Sequence, residues 1–146
     1  MKNTGKGPGA THRFNDITRA HTRMGQLTTH ILDTSRGRPG DGIVITLFRL
    51  EGDQRTLLTT MTSNSDGRCD KPLLQAEHFT IGVYELVFAT GAYLDAADAR
   101  DGCSDRNKTP RFLDNIVIRF GIAQADEHYH VPLLLSAYGY STYRGS

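Results

Sequence analysis

His128-Tyr129-His130-Val131-Pro132-Leu133-Leu134-Leu135-Ser136, followed by Ala137-Tyr138-Gly139 and then Tyr140-Ser141-Thr142-Tyr143, is the stretch that decides the fold. It reads as two β-rich runs joined by a short glycine-containing turn, a hairpin whose last strand is closed by Tyr143-Arg144-Gly145-Ser146. A period of two sets His128, His130, Pro132 and Leu134 on one face and Tyr129, Val131, Leu133 and Leu135 on the other. The second set is apolar and belongs to a core. Both histidines are thereby left on the outer face, where a polar site or a subunit interface can use them.

The same grammar extends upstream. Leu27 to Leu32 has the β-branched content of a strand, and the turn-rich segment from Asp33 to Gly42 follows it. Ile43 to Leu50 and Thr56 to Thr62 form a hairpin about Glu51-Gly52-Asp53. Ser63-Asn64-Ser65-Asp66-Gly67 is a further turn, leading into Arg68-Cys69-Asp70. Ile81 to Phe88 alternates, with Tyr84, Leu86 and Phe88 on one face and Glu85 on the other, as in a half-buried strand. Asn115 to Phe120 is another strand. Tyr93 to Arg100 alone has alanine-rich helix propensity, over barely two turns, and Asp101 to Pro110 reads as polar loop. Seven or eight short strands with one short helix predict an all-β sandwich.

At 146 residues and 38% hydrophobic content the chain suits one domain with a modest core. Residues 1–25 lack periodicity and read as a flexible extension, which leaves a folded domain over 26–146. Lys and Arg total 17 against 16 Asp and Glu, so no broad positive field favours nucleic acid. No apolar run approaches the roughly 20 residues that cross a bilayer, and no signal-peptide core is visible. A cytoplasmic location is therefore expected, with Cys69 and Cys103 as free thiols rather than a disulfide framework.

Taken singly, the chemistry-bearing residues have bland readings. His30 sits among threonines on a strand, Arg68 follows a tight turn that would aim its guanidinium from a fixed base, and exposed histidines on sheets are ordinarily solvated. His128 and His130 are i, i+2 on a strand with His30 remote, a poor metal-ligand spacing, so no metal and no cofactor is expected. No Gly-x-Ser-x-Gly elbow or glycine-rich phosphate loop occurs.

Together these segments form a pattern. Leu27-Thr28-Thr29-His30-Ile31-Leu32-Asp33, Arg36-Gly37-Arg38-Pro39, Asp66-Gly67-Arg68, Gly82-Val83-Tyr84, Gly91-Ala92-Tyr93, His128 to Leu134 and Tyr143-Arg144-Gly145-Ser146 resemble the 5-hydroxyisourate hydrolases, the transthyretin-like enzymes of urate breakdown. The resemblance runs in unbroken order over about residues 26–146, and the terminal tetrapeptide is what separates those enzymes from hormone-carrying transthyretins. It implies a transthyretin-like sandwich, a homotetramer with sites in a channel at the dimer–dimer interface, and a small purine-derived substrate, 5-hydroxyisourate. The family's catalytic histidines fall on His30 and His130, its arginine on Arg68, and its terminal signature on Tyr143 to Ser146.

The reaction implied is hydrolytic ring opening at an amide-like carbonyl. His30 and His130 are candidates for general base and water-positioning partner, with His130 favoured as the base. Arg68 is a donor fork for the substrate carbonyl or oxyanion, Tyr143 a substrate contact, and Ser146 with its carboxylate an orienting group. The rival readings are a transthyretin-like carrier without chemistry and a metal-dependent hydrolase.

Overall fold

A computed structural model of the chain describes residues 24–103 and 109–146. Most of the extension expected over 1–25, and part of the polar loop expected over 101–110, lie outside these residues. Gly25 is buried, and its N–H donates to the Ala125 carbonyl at 2.9 Å.

Two sheets pack face to face. The first has the order β5-β4-β7-β8, all antiparallel, from β4 (Val44–Glu51), β5 (Gln54–Thr62), β7 (Gly82–Phe88) and β8 (Ile116–Ile122). The second is broken across its middle. One half is β6-β1-β9, from β1 (Gln26–Thr28), β6 (Leu74–Gln75) and β9 (His128–His130). The other is β11-β10-β2-β3, from β2 (Ile31–Asp33), β3 (Arg38–Pro39), β10 (Leu133–Leu135) and β11 (Tyr140–Ser141). Among the described residues one α-helix, α1 (Thr90–Arg100), lies between β7 and β8.

Among the described residues eleven strand segments therefore stand where seven or eight strands were expected. Two expected strands, 27–32 and 128–136, are each interrupted, at Thr29-His30 and at Val131-Pro132. Pro132 has no N–H to give the ladder, so regular pairing stops there. Alignment nevertheless survives the break. Thr28 pairs with His130 before it and Ile31 with Leu133 after it, in the same parallel register, and Val131 N–H to Thr28 O and Leu133 N–H to His30 O, both 2.9 Å, cross the gap.

The alternation expected in β7 holds on the core side, where Tyr84, Leu86 and Phe88 are fully buried against Ile45, Leu47 and Ile118. Tyr129, Val131, Leu133 and Leu135 are likewise buried. Two outer-face residues depart from the alternation. Pro132 is buried in the kink, and Glu85 is buried beneath Arg55 and Arg119, whose guanidinium groups contact its carboxylate at 3.2 and 2.8 Å.

The helix starts three residues earlier than its alanine content suggests. Thr90 Oγ1 and Gly91 N–H both donate to the Asp114 carbonyl, so tertiary bonding begins the helix where propensity does not. Arg36 then ties α1 to β2, contacting Asp33 at 3.2 Å, Asp98 at 2.7 Å and Asp101 at 2.6 Å, while Arg111 pairs with Asp95 and Asp98. Tyr93 donates to Asp33 Oδ2 at 2.8 Å, and burial followed by that bond pushes its phenol up to about 12.

Burial acts to raise the Asp33 and Asp98 carboxyls, but the bonds from Ser35, Tyr93 and Arg36 to the first and from Arg111 and Arg36 to the second outweigh it, and both end lowered. A carboxyl lowered in the folded state stabilises the protein above its unfolded pKa of about 3.9, and this contribution is lost as pH falls through the folded value. Replacing Arg36 with Met should therefore cost about 3 kcal/mol at neutral pH. In urea melts, the gap to the unmodified protein should narrow as pH drops below the carboxylate range; a pH-independent gap would remove the ion cluster as its cause.

Candidate active site

A cleft of about 340 Å3 opens at the broken middle of the second sheet. Three remote parts of the chain meet there. Thr28 and Thr29 come from β1 and the break after it, His128 and His130 from β9, and Arg68 with Cys69 and Lys71 from the segment after the 63–67 turn. Ser146 closes one side.

Arg68 is set by local chemistry. Asn64 Oδ1 accepts the backbone N–H groups of Asp66 (2.9 Å) and Arg68 (3.2 Å), and the chain reverses through Gly67 at φ +75°. A Cβ at Gly67 would lie 2.3 Å from the Ile31 carbonyl, so only glycine fits. Emerging from this turn, Arg68 forms an antiparallel bridge with His30. The strand break thus holds the expected arginine beside the expected histidine.

The chain end is anchored in the same way. Gly145 forms an antiparallel bridge with His130, its N–H donating to the His130 carbonyl at 2.7 Å, in the register that pairs β10 with β11. Thr142 Oγ1 donates to Pro132 O at 2.7 Å, satisfying a carbonyl in the kink. A Cβ at Gly145 would meet the His130 side chain at 3.2 Å, so the glycine lets the backbone lie against the imidazole. Arg144 adds an ion pair to Glu127 at 2.6 Å and stacks its guanidinium 4.3 Å from the centre of the Tyr129 ring. The hairpin reading of the last residues is borne out.

Of the expected site residues, Arg68, His130 and Ser146 line the cleft directly. His30 stands beside Arg68 and is near enough for its charge to act on His130. Tyr143 does not line this cleft. It is 58% exposed and turns to a second depression, of about 250 Å3, with Phe120 and Val131. Among the described residues no group of three or more His, Cys, Asp or Glu is arranged to hold a metal.

Several lining residues escaped the sequence reading. Thr28 had a weak signal, being two residues before His30 and so on its face of an extended strand. Lys71 had none. Cys69 is half-buried, and desolvation followed by the charge of Asp70 pushes its thiol up, which makes it a poor nucleophile.

Electrostatically the cleft keeps an imidazole neutral. Burial first, then the positive charge of Arg68, lowers the His130 pKa below its ordinary value, and a proton on His128 or His30 would act in the same direction. A neutral imidazole beside a permanent cation can take a proton from water while the guanidinium faces the negative charge that develops. In an NMR titration, His130 should lose its proton below the ordinary imidazole value of about 6.5. Removing the charge with Arg68→Met should move that midpoint upward; an unchanged midpoint would disprove the coupling.

Comparison with known proteins gives the family and the fold. The model of the HIUase/Transthyretin family matches residues 27–145. A protein of Pseudomonas aeruginosa named 5-hydroxyisourate hydrolase is 56% identical over 123 residues, which are 84% of this chain and 93% of that protein. Among solved structures, an (S)-allantoin synthase matches 86% of this chain with TM-score 0.75 and 41% identity, this chain spanning only 45% of that one. The transthyretin of Sparus aurata matches 82% of this chain and 96% of its own with TM-score 0.67 and 25% identity. The chain therefore belongs to the HIUase/Transthyretin family, with a transthyretin-like fold.

Proposed function

We propose that this protein is a hydrolase that opens the six-membered ring of 5-hydroxyisourate in urate breakdown, yielding 2-oxo-4-hydroxy-4-carboxy-5-ureidoimidazoline. One observation carries the reading: Arg68, His130 and Ser146, from distant parts of the chain, line one cleft, with backbone bridges joining His30 to Arg68 and Gly145 to His130. The strong likeness to a protein named for this activity supports it. A carrier of small aromatic ligands on the same fold has no use for a neutral base beside a fixed cation.

In this mechanism His130 takes a proton from water as the water oxygen bonds to the ring carbonyl carbon. Arg68 stabilises the resulting oxyanion. The carbon–nitrogen bond then breaks, the oxyanion collapses to a carboxylic acid, and the leaving nitrogen takes back the proton from His130. His30 orients the water or the substrate from beside Arg68. Ser146 closes the cleft against His130.

The assembly belongs to the same proposal. A homotetramer would cover this cleft, which in one chain leaves Arg68 and Lys71 exposed. Tyr143, turned away from the cleft of its own chain, then meets substrate only across a subunit interface. A cytoplasmic setting fits a small-molecule reaction of this kind, and among the described residues no helix is long and apolar enough to cross a membrane.

The test generates 5-hydroxyisourate in situ from urate and follows its absorbance decay. The protein should accelerate the decay, and alanine at His30, Arg68 or His130 should lower kcat/KM by about 100-fold or more with folding intact. Decay at the spontaneous rate with the unmodified protein would refute the function. A peptide fused after Ser146 should lower kcat/KM several-fold where an N-terminal tag does not, and equal activity would remove Ser146 from the site.

A further inference from the structure

The hydroxyl of Thr28 lies between two imidazoles. Its Oγ1 is 2.7 Å from Nε2 of His128 and 2.8 Å from Nδ1 of His130, and the two rings are 6.2 Å apart between centres. The parallel register of β1 on β9, with Thr28 opposite His130, holds the three in place. The adjacent hydroxyl behaves differently: Thr29 Oγ1 donates to the Val131 carbonyl at 2.7 Å and is buried there.

A threonine hydroxyl has one proton. Between two neutral rings it donates to one nitrogen and accepts from the other, so the tautomers of His128 and His130 are set together. When Thr28 donates to His128 Nε2, it accepts from His130 Nδ1–H, and His130 Nε2 carries a bare lone pair. When Thr28 donates to His130 Nδ1, His130 carries its proton on Nε2 and His128 Nε2–H donates to Thr28. The first state can accept a proton at His130 Nε2, and the second presents an N–H there.

We infer that Thr28 and His128 form a proton relay behind His130, switching it from base to acid within one turnover. The inference rests on the hydrolase reading above. Water gives its proton to His130 Nε2; the Nδ1 proton of His130 passes to Thr28 Oγ1 as the Thr28 proton passes to His128 Nε2. His130 is left neutral with a proton on Nε2, and the positive charge has moved to His128, farther along β9. His130 gives its Nε2 proton to the leaving nitrogen as the relay runs back, His128 Nε2–H to Thr28 Oγ1 and the Thr28 proton to His130 Nδ1, so His130 stays neutral and the starting state is restored.

The surroundings of His130 disfavour a positive charge on its ring. Burial and the charge of Arg68, which lines the same cleft, resist an imidazolium there. Lys71 and Cys69 also line the cleft. Thr28 and His128 are positioning residues, since neither needs to touch the substrate.

The experiment compares Thr28→Val, Thr28→Ser and His128→Gln in the full chain, each checked for an unchanged melt. Thr28→Val and His128→Gln should each lower kcat on the order of 10- to 100-fold, with KM changed less than about threefold. Thr28→Ser, which keeps the hydroxyl, should stay within about threefold of the unmodified protein, and the double variant should be no worse than either single one. Imidazole 15N spectra of the unliganded protein supply a readout without turnover: the His128 and His130 tautomers should change together, and Thr28→Val should separate them. An inactive unmodified protein sinks the hydrolase reading, while the spectra still judge the hydrogen-bonded pair. An active one with Thr28→Val at full rate, or with Thr28→Ser as impaired as Thr28→Val, overturns the relay.

Discussion

The parallel alignment of residues 26–33 on residues 128–135 is the constraint on which the rest depends, because it runs through a break without losing register. A proline at 132 and a bridge at His30 interrupt regular pairing, yet the Val131 and Leu133 amides still reach carbonyls across the gap. An uninterrupted ladder there would close the sheet over the space the cleft now occupies. A break without the crossing bonds would leave buried backbone groups unsatisfied, at a cost of about 1–3 kcal/mol each. The sheet is open at its middle and fixed at both ends.

Both bridges that line the opening use glycine for the same reason, close backbone approach. Gly67 brings the turn against the Ile31 carbonyl and delivers Arg68 to His30; Gly145 brings the chain end against the His130 ring. The polar groups so gathered have opposed electrical characters. Arg68 keeps its charge always, and that charge, with burial, favours the neutral form of His130. Cation and base coexist because one of them is prevented from becoming a second cation. Farther along β2, Asp33 receives Arg36, Ser35 and Tyr93 and locks the helix to the same strand.

Particular residues show where sequence reasoning reached and where it stopped. Strand parity located Tyr129, Val131, Leu133 and Leu135 in the core and kept His130 off it, because pleating allows only two faces. Parity failed at Pro132 and Glu85, since burial at a kink or under two arginine side chains comes from neighbours remote in sequence. Thr28 was passed over because a threonine in a strand has an ordinary reading as a β-former. Its hydroxyl becomes informative only when two imidazoles, 100 and 102 residues away, close on it.

By itself the sequence determined the sandwich class, the family resemblance, the alternating faces of the strands 81–88 and 128–136 and the turn that presents Arg68. These follow from local rules: a period of two, turn residues whose φ is restricted, and motifs read in order. Only the tertiary structure decided that the strands 27–32 and 128–136 break, that the breaks coincide, and that Ser146 lines the same cleft as His130 while Tyr143 faces elsewhere. The physical reason is that a strand's continuity depends on its partner's hydrogen-bonding groups, and those partners are the farthest parts of the chain.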